Sequence, residues 1–161
     1  DMRISGTCAS LAGLEAALAA VDPYQATRAV LAREGDLLTV AGRTYDLRHY
    51  RRVIVVGAGK AGAPMTQAVE AVLGDRISAG LVVVKTGHSA PTAHVEIVEA
   101  SHPRPDAAGV AAGERILKLA QDAQDDDLVI ALLSGGGSAI FEKPIDPSIS
   151  LDDLRSFYRS W

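Results

Sequence analysis

VIVVGAGKAGAPM, residues 53–65, joins four apolar β-branched residues to a glycine-rich turn and the start of an amphipathic helix. A run such as VIVV is typical of a strand buried on both faces of a parallel sheet. In the turn, Gly57, Gly59 and Gly62 have the spacing G-x-G-x-x-G. Glycines let the backbone turn sharply and approach a ligand, and the following helix directs N-terminal amides at an anion. The segment therefore predicts a strand, an anion-binding loop and a helix.

The same alternation continues along the chain. Further strands are predicted at LVVV (81–84), VEIV (95–98) and LVIALL (128–133), and helices at 63–73 and 107–122, the latter N-capped by Asp106. Strands that alternate with helices predict an α/β fold, a parallel, doubly wound (Rossmann-like) sheet with helices on both faces.

The first 50 residues have a different pattern. An amphipathic helix is predicted over 8–21, and a second helix from Pro23 to about Glu34, with Asp22 as its N-cap and Gly35 as its stop. Two short strands around Ala41-Gly42, within residues 37–47, predict a hairpin.

The last predicted helix begins near Leu151, after Ser150 as N-cap, and has no stop signal before the chain ends. Its apolar face carries Leu154, Phe157, Tyr158 and Trp161. Because the helix is not terminated and the chain starts at Asp1 without a methionine, we expect these 161 residues to be part of a longer protein.

Composition narrows the function classes. With 48% hydrophobic and 22% charged residues, the chain is typical of a globular domain. A net charge of −4 disfavours a nucleic-acid or anionic-membrane surface but not a small-anion site. Cys8 is the only cysteine, which favours a reducing cytoplasm. No metal-ligand motif is present, and the acidic run 125–127 is expected to be a solvated turn at the wrong end of its strand.

A second glycine loop, SGGGSA at 134–139, follows the strand predicted at 128–133. Three consecutive glycines, Gly135, Gly136 and Gly137, are costly to order and are expected where the backbone itself contacts a ligand. Ser134 and Ser138 add hydroxyl groups, and a run of turn amides can form an anion-binding nest. Ligands bind at the carboxyl ends of strands in open α/β sheets, which is where this loop lies.

Other candidate residues lie at neighbouring strand ends. Lys60 lies inside the first loop, where an ammonium group would meet a bound phosphate or carboxylate. Lys85 and His88 follow the second strand of the predicted parallel sheet, and His102 follows the third, beside Pro103. We assign Lys85, His88 and His102 as candidate substrate contacts, with His102 also a candidate general base.

These residues leave several functions open. The first loop could bind a dinucleotide, but Lys85 stands where the ribose-binding acid is expected. Since a lysine there could suit a 2′-phosphate, an NADP-dependent reductase stays open. A non-catalytic module that binds sugar phosphates is another possible function.

The chain resembles the N-terminal region of class II glycerate kinases (glycerate 2-kinases), some of which carry the older label hydroxypyruvate reductase. The resemblance rests on segments that span nearly the whole chain in order: AALAAVDPYQATR at 16–28, VIVVGAGKAGAPM at 53–65, LVVVKTGH at 81–88, EASHPRPDAAGVAAGERIL at 99–117 and LVIALLSGGGSAIFEKP at 128–144.

The resemblance implies transfer of the γ-phosphoryl group of ATP to D-glycerate with Mg²⁺, in a cleft between two α/β domains. It implies that Lys60 is the candidate catalytic lysine and that Ser134–Ser138 is the nucleotide-phosphate loop, with Gly57 and Gly59 as further phosphate contacts. Residues 1–161 would then be an incomplete N-terminal domain without the C-terminal domain, and inactive alone. A homodimer, the phosphorylated hydroxyl, and which loop holds nucleotide and which glycerate stay open.

Overall fold

The computed structural model describes residues 5–160, with side chains from residue 11. The helices are α1 (Ser5–Ala20), α2 (Pro23–Ala29), α3 (Gly62–Leu73), α4 (Ala107–Gln121) and α5 (Leu151–Arg159). The strands are β1 (Leu31–Glu34), β2 (Leu37–Val40), β3 (Arg43–Asp46), β4 (Arg52–Ala58), β5 (Ile77–Lys85), β6 (Glu96–Ala100) and β7 (Asp127–Leu133).

A four-stranded sheet of order β6-β5-β4-β7 forms the centre of the molecule, and all its neighbouring strands run parallel. α3 packs on one face, where Ala63, Val69 and Leu73 join a core with Val55 and Val82. α4 packs on the opposite face through Ala112, beside Leu81 and Val83. The predicted α/β fold, with helices on both faces of a parallel sheet, is confirmed.

β1, β2 and β3 form a separate antiparallel sheet. Leu31 and Leu38 of this sheet, together with Leu47 just after β3, extend the core on the α3 face. The predicted hairpin is confirmed, because Val40 pairs with Arg43 across the turn Ala41-Gly42. Both turn residues have positive φ, +48° and +82°, as the tightest hairpin turns require.

The second predicted helix is too long. α2 begins at Pro23 with Asp22 as N-cap, as expected, but it ends at Ala29 instead of continuing to Glu34. Leu31–Glu34 pair with Leu37–Val40 as β1. Gly35, at φ +58°, therefore turns a hairpin and does not stop a helix. Burial of Leu31 in the core explains why strand pairing prevails there.

The acidic run before β7 is also only partly as expected. Asp125 and Asp126 are exposed, but the side chain of Asp127 is fully buried between two arginines. Arg52 Nη2 lies 2.7 Å and Arg51 Nη2 3.0 Å from the Asp127 carboxylate, and these contacts join the starts of β4 and β7.

The predictions for the first and the last helix differ in how well they agree with the structure. In the predicted apolar stripe of α1, Leu11, Leu14 and Leu18 are exposed, so these three side chains do not join the core. α5 has the predicted N-cap at Ser150, completed by Asp153 as a capping box. The side chain of Cys8 and all of Trp161 lie outside the described residues. No helix within residues 5–160 has the length and apolar character that a membrane crossing requires.

Candidate functional site

The two glycine loops lie side by side at the carboxyl edge of the parallel sheet, because β4 and β7 are neighbours in register. The amide of Lys60 donates to the Gly135 carbonyl oxygen at 3.1 Å, and that of Ala61 donates to Ser134 Oγ at 3.1 Å. The Ser134 amide in turn donates to the Ala58 carbonyl oxygen at 3.1 Å. Hydrogen bonds in both directions therefore fix one loop on the other.

Gly57 and Gly59 are placed where no side chain fits. A Cβ at Gly57 would overlap the backbone of Leu132, and one at Gly59 would overlap Ser134. Gly59 also has a φ of +133°, which L side chains rarely adopt. The structure thus gives both glycines a packing function between the loops. Their proposed contact with phosphate stays a prediction.

The first loop has already used most of its amides. The amides of Lys60 and Ala61 bond to the second loop, Gly59 donates to Val83 at 3.0 Å, and Gly62 donates back to Gly59 at 3.0 Å. Pro64, at the start of α3, has no amide hydrogen. The first loop therefore offers an anion little besides the Lys60 side chain.

The second loop keeps donors available. Within residues 5–160, the amides of Gly135 and Gly136 donate to no protein acceptor. Gly136 has a φ of +87° and precedes a single 3₁₀ turn, Gly137–Ala139. Successive free amides at a turn of this kind form an anion-binding nest. Of the two glycine loops, the second is thus better equipped to hold phosphate oxygens.

Lys60 and His102 converge on Gly136. A Cβ at this glycine would lie 3.0 Å from His102 Nε2 and 3.6 Å from Lys60 Cε, so its absence keeps the space between them open. Burial of the ring, together with the charges of Lys60 and Lys85, lowers the pKa of His102. The imidazole is consequently neutral near pH 7, with two cationic groups close by.

Asp106 holds the loop that carries His102. Its carboxylate accepts from the Gly109 amide at 2.8 Å, as the predicted N-cap of α4, and from the Ser101 amide at 3.0 Å. The neighbouring loop after β5 is fastened in a similar way, because the Thr86 amide donates to the Ala100 carbonyl oxygen at 3.0 Å. Two rigid loop ends therefore present His102 and Lys85.

The remaining predicted residues are placed less centrally. His88 has an exposed side chain, and its amide donates to the Lys85 carbonyl oxygen at 2.9 Å. No hydrogen bond or ion pair joins its side chain to Lys60 or His102 among the described residues.

A cleft of about 690 Å³ lies between the second glycine loop and α5, and Ser134, Gly137 and Ser138 border it.

Two polar residues of this cleft were missed by sequence reasoning, Glu142 and Tyr158. The Tyr158 hydroxyl lies close to the Glu142 carboxylate, and this contact raises the pKa of Tyr158 to about 12. This contact falls short of a well-formed hydrogen bond, and neither buried carboxylate oxygen has another partner within the described chain. The only sequence signal was the position of Glu142, four residues after Ser138.

No group of three histidine, cysteine, aspartate or glutamate side chains in the described part of the chain could hold a metal ion. Magnesium in kinases is bound by one or two carboxylates together with substrate phosphates. A site of one or two carboxylates would fall below that count, so the Mg²⁺ that the resemblance implies stays a prediction.

Comparison with known proteins identifies a family. A family model described as "Domain of unknown function (DUF4147)" matches residues 10–160. A putative hydroxypyruvate reductase of Agrobacterium vitis is 46% identical over 105 residues, which are 65% of this chain and 24% of that protein. A glycerate 2-kinase of Pyrococcus horikoshii is 34% identical over 139 residues, 86% of this chain and 30% of that protein.

A crystal structure of a protein from Pyrococcus horikoshii OT3 has the same fold, with a TM-score of 0.81 and 31% identity. The match covers 95% of this chain and 34% of that protein. The chain thus spans about a quarter to a third of the length of the relatives it matches.

Proposed function

The chain belongs to the DUF4147 family of glycerate kinase-type N-terminal domains, and we propose that it contributes to ATP-dependent phosphoryl transfer to D-glycerate, giving 2-phosphoglycerate. The observation that carries this proposal is the convergence of Lys60 and His102 on Gly136, beside a loop with free amides. Phosphoryl transfer needs positioning and positive charge more than covalent chemistry, and this edge of the sheet offers both.

Each residue has a distinct part in the proposed reaction. The amides of Gly135 and Gly136 hold phosphate oxygens of ATP, while Lys60 stabilises the negative charge of the γ-phosphoryl group. A hydroxyl oxygen of glycerate forms the new bond to phosphorus as the bond from phosphorus to ADP breaks. Because its pKa is lowered, the neutral His102 accepts the hydroxyl proton. Lys85 and His88 bind the glycerate carboxylate.

We further propose that residues 1–161 form one α/β domain of a longer enzyme and that a second domain completes the cleft. Relatives named glycerate kinase are about three times longer than the part matched here. We expect the 161-residue chain to bind nucleotide but to turn over little or no glycerate. Turnover by this chain at the rate of a longer form would contradict this division.

Replacing Lys60 tests the proposal. In a form that includes the remaining length of the relatives, Lys60→Ala should lower kcat for ATP and D-glycerate by about 10²–10³-fold, the effect of losing one preorganised charge donor. ADP and 2-phosphoglycerate formation would be measured. The matched control is Lys118→Ala, at the exposed last turn of α4, which should leave kcat unchanged. A normal kcat for Lys60→Ala would remove Lys60 from the mechanism.

The relative named putative hydroxypyruvate reductase favours a second candidate, NAD(P)H-dependent reduction. Against it, the amides of the first glycine loop are already bonded within the protein, and Lys85 replaces the ribose-binding acid. Hydroxypyruvate with NADPH or NADH should give no oxidation of the cofactor at 340 nm. Cofactor oxidation without any ADP release from ATP and glycerate would establish the reductase instead.

A further inference from the structure

We propose that the cleft between the loop Ser134–Ser138 and α5 binds the nucleoside of ATP, with the base on Phe141 and Phe157 and the ribose at Glu142 and Tyr158. This inference rests on the proposed function, because it assigns the phosphates of ATP to the second glycine loop. It also assigns one side of that loop to the nucleotide and the other side to glycerate.

The loop separates two chemically different surfaces. One side carries Lys60 and His102, whose side chains lie next to Gly136. The cleft is bordered by Ser134, Gly137 and Ser138 of the same loop, whereas Lys60 and His102 do not line it. A phosphate chain held by the loop amides can therefore extend towards the cationic groups at one end and into the cleft at the other.

The cleft suits a flat apolar group. Its volume, about 690 Å³, is within the usual range of small-molecule pockets. Leu133, Phe141, Leu154 and Phe157 provide apolar walls, and Leu133 and Phe157 are 69% and 58% exposed. Covering these side chains with a nucleobase would remove apolar surface from water and allow contact with an aromatic ring.

Glycerate does not fit the same place. It is a three-carbon anion with two hydroxyl groups, so it has no apolar surface to match these walls. The Glu142 carboxylate in the lining would also repel its charge, and the ammonium group of Lys143, which lines the same cleft, is already paired with Glu114 at 2.7 Å. The cationic side of the loop, with Lys60 and Lys85, is complementary to a carboxylate. The two substrates of a kinase thus have separate places on either side of one loop.

Glu142 is the residue that we assign to the ribose. Both carboxylate oxygens are buried without a well-formed hydrogen bond, an arrangement that is unfavourable unless a ligand supplies donors. The two ribose hydroxyls are such donors once the Glu142 side chain turns its carboxylate towards the cleft that it lines. Tyr158, whose hydroxyl approaches the carboxylate and whose ring meets Phe157 edge to face at 5.9 Å, links the ribose end of the cleft to its aromatic wall.

The test uses the 161-residue chain with ATP, 2′-deoxy-ATP, 3′-deoxy-ATP and inorganic tripolyphosphate as probes, measured by calorimetry. The unaltered chain should bind ATP roughly tenfold more tightly than at least one deoxy analogue, the expected effect of a hydrogen bond to a charged group. Glu142→Gln should weaken ATP by a similar factor and abolish the preference, while tripolyphosphate affinity stays the same. Tyr158→Phe should have a smaller effect in the same direction.

Stability separates a binding role from a structural one. Without ligand, Glu142→Gln should leave the Tm unchanged or raise it, because the variant no longer buries an unsatisfied charge. A lower Tm with unchanged ATP affinity would make Glu142 a structural residue and overturn the inference. The control Glu34→Gln, at an exposed position of β1, should alter neither quantity.

The outcomes also distinguish the inference from the proposed function. If tripolyphosphate binds as tightly as ATP and the deoxy analogues, the phosphate loop stands but the nucleoside cleft is wrong. If neither ATP nor tripolyphosphate binds, the inference fails together with the assignment of the ATP phosphates to the second glycine loop, whereas the proposed reaction itself is decided by turnover of ATP and D-glycerate in the longer form.

Discussion

Gly136 shows how a single missing side chain can define a site. Its φ of +87° places the chain in the left-handed region, and the space that a Cβ would occupy lies 3.0 Å from His102 Nε2. A residue with a side chain would be strained and would also fill the gap between His102 and Lys60. The glycine is thus needed both for the turn and for the room it leaves.

Gly42 offers a matched comparison, because it has a similar φ of +82° but no atom within 4 Å of its hypothetical Cβ. We expect Gly136→Ala and Gly42→Ala each to lower the free energy of unfolding by about 1–2 kcal/mol, the cost of left-handed backbone. Only Gly136→Ala should weaken ATP binding, by tenfold or more. Denaturant unfolding and calorimetry would measure the two effects.

If Gly42→Ala weakened ATP binding as much as Gly136→Ala, the loss would come from strain and not from a filled site. Equal binding by Gly136→Ala and the unaltered chain would show that no ligand occupies the gap.

Among the elements, the four parallel strands, α3 and α4 could be predicted because apolar runs and caps such as Asp106 are local signals. β1 could not, since Leu31–Glu34 continue a helical pattern and become a strand only by pairing with β2. The free amides of the second loop and the used amides of the first depend on contacts between β4 and β7, which sequence spacing does not reveal.

Asp106 connects an element boundary to the site. Asp106→Ala should lower the free energy of unfolding by about 1 kcal/mol, as for other N-caps, and release the loop that carries His102. The pKa of His102, followed by NMR, should then rise towards its ordinary value of 6.5, because the ring becomes more exposed.

The control is Asp22→Ala, which removes an equivalent N-cap from α2, a helix without buried residues. It should cost similar stability and leave the pKa of His102 unchanged. If the pKa of His102 changed in both variants, or in neither, the N-cap of α4 would have no specific effect on His102.

At the scale of the whole molecule, the parallel sheet is fastened at the end opposite to the site. Asp127, fully buried, joins the starts of β4 and β7 by accepting from Arg51, Arg52 and the Gln124 amide. The hydrogen bond from Arg52 is the largest of the causes that lower the pKa of Asp127 far below its usual range. The two strands that carry the glycine loops are therefore aligned from their other ends.

Asp127→Asn should lower the Tm at pH 7 by at least several degrees, because Arg51 and Arg52 lose the buried carboxylate that they share. The native pKa lies below the unfolded value of about 3.9, so the carboxylate stabilises the fold fully above about pH 5 and progressively less as pH falls through the native pKa. The difference in Tm between the two proteins should accordingly shrink on acidification. Thermal unfolding from pH 7 to pH 3 measures it.

Asp125→Asn, in the exposed turn before β7, serves as the control and should change the Tm little at any pH. A difference for Asp127→Asn that stayed constant with pH would mean that shape, and not charge, holds the strands together.

The hydrogen bonds from Lys60 to Gly135 and from Ala61 to Ser134 have a consequence for protein engineering. Transplanting SGGGS alone into another α/β scaffold would leave its serine and its first glycine without the backbone donors that shape it. The portable module is the pair of adjacent strands with both turns, and a designer who wants the nest must carry the lysine-bearing turn along with it.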